Sequence, residues 1–182
     1  MRHAGRFAVA ISLSLTIIAA SAGCAEEQKK AAPELPKQFC WNAFDRGAVQ
    51  SILPTGDRLT HDADIFYFAE RKKSSNCLVY VNGNDAFSAF AKFQDDEFGF
   101  DWSSFDRLKP DPVRIGKKAI AWDTGAITYF PCRATANSGP STARYLELTI
   151  YTTPAKVENQ RKSLPHLLKQ FTAFAQKELK CA

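Results

Sequence analysis

The chain has 182 residues, 24 Lys+Arg against 19 Asp+Glu, and a formal net charge of +5. At 45% hydrophobic and 12% aromatic it is too apolar for a disordered chain, and it lacks the Gly or Pro bias of a fibrous one. The length allows one folded domain, and a surplus of five positive charges is too small to argue for a nucleic-acid partner.

Arg2 and Arg6 form a positive start, and Phe7 to Ala20 is a run of 14 apolar and small residues. This pattern predicts an export signal, since a membrane span needs about 20 apolar residues. Two cleavage sites compete. Ala20-Ser21-Ala22 suits ordinary signal peptidase. Ser21-Ala22-Gly23-Cys24 resembles a bacterial lipobox, with Ser21 where leucine is usual. The lipobox reading makes residues 1–23 a signal peptide and Cys24 the lipidated residue. Two acyl chains of the palmitate type would hold the chain on the outer face of the cell membrane, where one chain is marginal. Removing 23 residues leaves 159, and losing Arg2 and Arg6 lowers the net charge to +3. Residues 24–38 read as a flexible tether: their charges cancel, Pro33 and Pro36 interrupt any helix, and Leu35 is the single large apolar side chain. Such a coil reaches about 20 Å.

The folded domain is expected over residues 39–182. Asp45 is a candidate N-cap for a helix carrying Val49, Ile52 and Leu53, stopped by Pro54-Thr55-Gly56. Strands are predicted at 64–69, 77–81 and 86–93, the last two joined by a turn at Asn82-Gly83-Asn84. Residues 95–112 form a long irregular connection. A second hairpin joins 118–122 and 126–132 through Asp123-Thr124-Gly125. From 143 to 152 the pattern alternates, Tyr145, Glu147, Thr149 and Tyr151 on one side, Leu146, Leu148 and Ile150 on the other: a half-buried strand. A shorter helix is expected near Lys156. Ser163 is a candidate cap for a long last helix, with Pro165 in its first turn and an apolar stripe of Leu164, Leu167, Leu168, Phe171, Ala175 and Leu179. The expected fold is therefore α+β: an antiparallel sheet of five to six strands with an N-terminal and a long C-terminal helix packed on it.

Export implies an oxidising compartment. With Cys24 lipidated, Cys40, Cys77, Cys132 and Cys181 remain, and four cysteines allow three connectivities. The expected pairs are Cys40–Cys77, pinning the first helix to an early strand, and Cys132–Cys181, pinning the last helix to a central one. No C-x-x-C or closely spaced Cys/His pair is present, so no metal is expected. The lipobox, the charged tether, Cys40 before a first helix, Cys77 opening a strand and a last helix ending in Cys181 together resemble the small actinobacterial secreted lipoproteins of unknown function. The resemblance implies a disulfide-stapled α+β domain; it transfers no reaction and no catalytic residue.

No nucleophile elbow, zinc-protease, P-loop or dinucleotide motif occurs, and neither a catalytic residue nor a cofactor is expected. His61 with Asp62 and Asp64 reads as a polar loop. The distinctive tract is Asp85 to Asp106, six acids against Lys92, interleaved with Phe87, Phe90, Phe93, Phe98, Phe100, Trp102 and Phe105. Within it Asp95, Asp96, Glu97, Asp101 and Trp102 form a candidate binding surface for an envelope protein, peptide or glycan. The competing readings are an ordered loop whose aromatics complete the core, a calcium site, and a carboxylate pair for glycoside hydrolysis. The C-terminal segment is basic, with Lys156, Arg161, Lys162, Lys169, Lys177 and Lys180 against Glu158 and Glu178. Such a face could lie on anionic lipid or wall polymer, or be the solvated side of a helix. The expectation is a lipid-anchored binding module of the envelope, with a hydrolase using the Asp95–Asp101 carboxylates, or a purely structural domain, as alternatives.

Overall fold

The computed structural model describes residues 31–97, 100–133, 139–154 and 160–181. The expected signal sequence, Cys24, the first part of the expected tether and the helix expected near Lys156 lie outside them.

Seven antiparallel strands form one sheet: β1 (Leu59–Ala63), β2 (Ser74–Val81), β3 (Asn84–Gln94), β4 (Asp111–Val113), β5 (Lys118–Trp122), β6 (Gly125–Pro131) and β7 (Tyr145–Thr152). Their spatial order is β1-β2-β3-β7-β6-β5-β4. The β2–β3 turn places Asn82 and Gly83 at φ 53° and 80°, the left-handed pair that a two-residue hairpin requires. In the β5–β6 hairpin, Gly125 lies under the Trp122 ring, where a Cβ would come within 2.3 Å of it. The strand order also explains the long irregular connection. To pass from β3 to β4 the chain must cross β7, β6 and β5, about 19 Å at the usual strand spacing. It does so over one face of the sheet, here called the outer face.

The inner face is covered by α2 (Gln160–Leu179) and by residues 31–53. Cys77, Val79, Phe87, Ala89, Phe93, Leu146, Leu148 and Ile150 point inward and pack against Leu164, Leu167, Leu168, Phe171 and Ala175 of α2, all fully buried. Gln160 donates from its side chain to Thr152 Oγ1 and the Thr153 carbonyl, tying the start of α2 to the end of β7. At its other end Lys180 is left-handed (φ 52°) and the Cys181 N–H bonds the Gln176 carbonyl, a Schellman closure. Ser163 does not cap; it lies inside α2, three residues past its start, and Pro165 is the sixth residue. No helix among the described residues is long and apolar enough to cross a membrane.

Three further expectations change. The sheet has seven strands, because the polar edge strand β1 and the three-residue β4 join it, while 64–69 forms no strand beyond a single bridge, Ala69 to Lys72. The N-terminal helix is not a packed layer. It reduces to a turn at Cys40–Asn42, left-handed at all three residues, and to the five-residue α1 (Arg46–Gln50), capped by Asp45 at 2.7 Å from the Ala48 N–H. Finally, residues 31–38 pack on the domain. Leu35 is 2% exposed, and the Gln50 side chain holds the Leu35 N–H and the Ala32 and Pro33 carbonyls.

Both disulfides follow from this layout. Cys40–Cys77 joins the left-handed turn to β2, with Cα atoms 5.3 Å apart. Cys132–Cys181 joins the end of β6 to the end of α2, at 4.6 Å. The left-handed turn costs about 1–2 kcal/mol per residue. It is held by its bridge, by the Trp41 Nε1–Asp64 carbonyl bond (2.6 Å), and by Trp41 stacking on Phe171 and Phe174.

Candidate functional site

The registers fix which side chains share the outer face. One row runs Leu78, Ser88, Tyr151, Gly125, Trp122; the next runs Asn76, Phe90, Thr149, Ile127, Ile120; a third runs Ser74, Lys92, Glu147, Tyr129, Lys118. The crossing segment covers the β5–β6 side. Phe100 stacks on Tyr129 (centroids 4.3 Å apart), Trp102 lies 5.7 Å from Tyr129, and Phe105 meets Trp122 at 5.1 Å. Ile120, Trp122 and Ile127, with Trp102 and Phe105 packed on them, make a second, smaller apolar cluster. Lys118 Nζ sits 4.3 Å from the centre of the Trp102 ring, a cation–π contact.

The acids of the tract anchor this cover. Glu97 accepts from Lys117 Nζ and Tyr129 Oη, each at 2.6 Å, and from Tyr145 Oη at 3.3 Å. The Lys117 bond, with Tyr129 next, holds the Glu97 carboxyl below its usual range. Burial, with the Glu97 carboxylate beside it, pushes the Tyr129 phenol up to about 12. Asp95 accepts from Lys73 at 2.8 and 2.9 Å and from Thr142 at 3.0 Å, and is lowered chiefly by Lys73. Asp101 accepts from the Ser103 hydroxyl (2.6 Å) and N–H (3.1 Å), opening the turn Ser103–Leu108, and is lowered by the same bonds. Beyond that turn Arg161 of α2 binds the Lys109 carbonyl, Asp111 and Asp123.

The expected surface therefore separates into parts with different work. Asp95 and Glu97 tie the start of the cover to residues elsewhere in the fold, while Asp101 caps a turn within the cover. A glycoside hydrolase needs one carboxyl raised enough to act as an acid, and these three are shifted the other way. Asp96 lies in the same bend, and Trp102 packs against the sheet half-buried. Among the described residues no group of three or more His, Cys, Asp or Glu is gathered as a metal would require. His61 and Asp62 are neighbours on the edge strand β1, so they point to opposite faces, and both are exposed.

What the cover leaves open is the β2–β3–β7 side. Phe90 and Tyr151 are 36% and 41% exposed, with centroids 6.1 Å apart. Tyr151 also meets Trp122 at 5.9 Å. One row of rings thus runs from Phe100 in the cover, through Tyr129, Trp102, Phe105, Trp122 and Tyr151, to Phe90 in solvent. A cavity of about 270 Å³ adjoins its open end, lined by Asp85, Ser88, Phe90, Tyr151 and Thr153 among others. A smaller one, about 90 Å³, lies at the cover's margin between Phe100, Asp101, Trp102, Phe105, Ile127 and Glu147. The candidate surface is thus shifted from the acidic tract to the sheet beside it. Tyr151 and Phe90 were legible as strand residues on the non-core side; nothing local marked them as the exposed end of an aromatic row.

The chain matches no protein-family model, no curated protein and no solved structure.

Proposed function

We propose that the protein is a lipid-anchored, extracytoplasmic binding module of the cell envelope that engages a protein, peptide or glycan through the uncovered half of its outer sheet face. The observation that carries the binding surface is the exposed pair Phe90 and Tyr151 beside the cavity of about 270 Å³. Here apolar rings stand next to the Asp85 carboxylate and the Ser88 and Thr153 hydroxyls, the mixture of stacking and hydrogen-bonding groups that binding sites use. Two disulfides suit an oxidising compartment outside the cytoplasm. Anchoring rests on the lipobox-like Ser21-Ala22-Gly23-Cys24. The hydrolase alternative is weakened at Asp95 and Glu97, whose oxygens are both engaged by lysine, threonine and tyrosine donors, while Asp101 spends one oxygen on Ser103.

The test is retention of envelope material by the purified protein, read by pull-down and by thermal shift against peptide and glycan panels. The wild type should retain a partner or ligand, and Phe90→Ala/Tyr151→Ala should lose it while still folded, as judged by a cooperative melting transition. No retention at all, or retention undiminished in the double variant, overturns the binding reading and leaves a structural domain.

A further inference from the structure

The exposed side of α2 is chemically as uniform as its buried side. Leu164, Leu167, Leu168, Phe171, Ala175 and Leu179 face the sheet. Opposite them, at steps of three and four, Lys162, His166, Lys169, Ala173 and Lys177 face solvent, and the exposed Lys180 follows just past the end of the helix. From Lys162 to Lys177 this ridge is about 22 Å long. Among the described residues none of these four lysines forms an ion pair, and Glu178 is the one exposed acid of the helix. The acid-rich crossing segment lies on the far side of the sheet, and its Asp95 and Glu97 are matched by Lys73 and Lys117. The ridge is therefore a run of positive charge with no paired acid, on the side of the molecule away from that segment.

The chain's entry point lies on the same side. Residues 31–53 share the inner layer with α2, through Phe44–Phe171, Trp41–Phe171 and the Gln170 bond to the Asp45 N–H. Because residues 31–38 are packed, the reach from Cys24 is set by the seven peptide units to Ala31. Fully extended they span at most about 25 Å. An acyl group on Cys24 would thus hold the helix layer within reach of lipid headgroups, closer than a tether running to residue 38 would.

We propose that the lysine ridge of α2 docks the domain on anionic lipid headgroups of the membrane that anchors it, turning the outer sheet face away from the bilayer. The proposal rests on the lipid-anchored reading for its geometry. Each lysine near an anionic surface strengthens binding about fivefold, and removing two should weaken it about 25-fold.

The experiment uses the chain from residue 24 onward, bearing Cys24→Ser and therefore unacylated. Partition is measured on vesicles of phosphatidylglycerol with phosphatidylcholine and on phosphatidylcholine alone. The expected result is salt-sensitive binding to the anionic vesicles only, reduced about 25-fold by Lys169→Gln/Lys177→Gln, two exposed changes that should leave the melting temperature unaltered. Absence of binding, equal partition on both vesicles, or an unaffected double variant overturns the proposal. So does stronger binding to soluble poly(glycerol phosphate) than to vesicles, which would assign the ridge to a wall polymer. Acylation of Cys24 is read separately, from the mass of the native protein, so either claim can fail while the other stands.

Discussion

Removing the Cys132–Cys181 bridge should cost about 4 kcal/mol. The two cysteines are 49 residues apart, and the chain-entropy relation gives about 14 cal/mol/K for a loop of that size. The double variant Cys132→Ala/Cys181→Ala, made with Cys24→Ser, leaves no free thiol to exchange with Cys40–Cys77. Cys132 is fully buried, so the lost sulfur adds a small cavity penalty. Against a typical domain stability of 5–15 kcal/mol this is a large fraction. It corresponds to a fall in melting temperature of about 8–16 °C for a domain of this size. The assay is urea unfolding followed by tryptophan fluorescence, with hydrogen exchange along α2. Exchange should rise first in the last turn, where the Cys181 N–H closes the helix on Gln176. A loss below about 1 kcal/mol, or unchanged protection at the end of α2, would refute the view that the bridge constrains the unfolded chain and secures that terminus.

Phe171→Ala should destabilise by about 3–5 kcal/mol in the same assay, since its fully buried ring fills the junction of Trp41 and Phe44 beneath α2. Asn42→Gly should be neutral or stabilising by up to about 1 kcal/mol, because Asn42 is exposed at φ 59°, a conformation that glycine adopts freely; clear destabilisation would mean the turn is not left-handed. Glu97 is held below its ordinary value of 4.5 in the fold, so its contribution is complete above that pH and is lost as the pH falls through the lower native value. Protection of amides in residues 100–108 should accordingly be level from neutral pH down to about 5 and fall in acid, and Glu97→Gln should flatten the part of that dependence due to Glu97.

Where burial has a period, the sequence discloses it. The alternation of 145–152 and the apolar stripe of α2 appear in the structure as drawn from the residues, because each element buries one side against a large core. The edges were harder. β1 exposes four of its five side chains and is held by its backbone ladder to β2, so it leaves no hydrophobic trace. The run Ile65-Phe66-Tyr67-Phe68 alternates too: Phe68 is buried, while Ile65 and Tyr67 are 80% and 53% exposed. That periodicity comes from a loop draped over Trp41 and Phe174, not from strand pairing. The acidic tract was visible as a tract, but its meaning depended on Lys73, Lys117, Tyr129 and Thr142, each 20 or more residues away in sequence from its carboxylate. The packing of residues 31–38 is hidden for a similar reason. Leu35 looked like an isolated apolar residue until Gln50 and Arg46 supplied partners for the backbone around it.

The most direct measurement is the intact mass of the native protein isolated from its membrane fraction, before and after reduction. A chain beginning at Cys24, carrying a diacylglycerol, and exposing four thiols only after reduction is the predicted result. A chain beginning at Gly23 with an unmodified Cys24, or one retaining residues 1–23, would contradict the lipid-anchored reading.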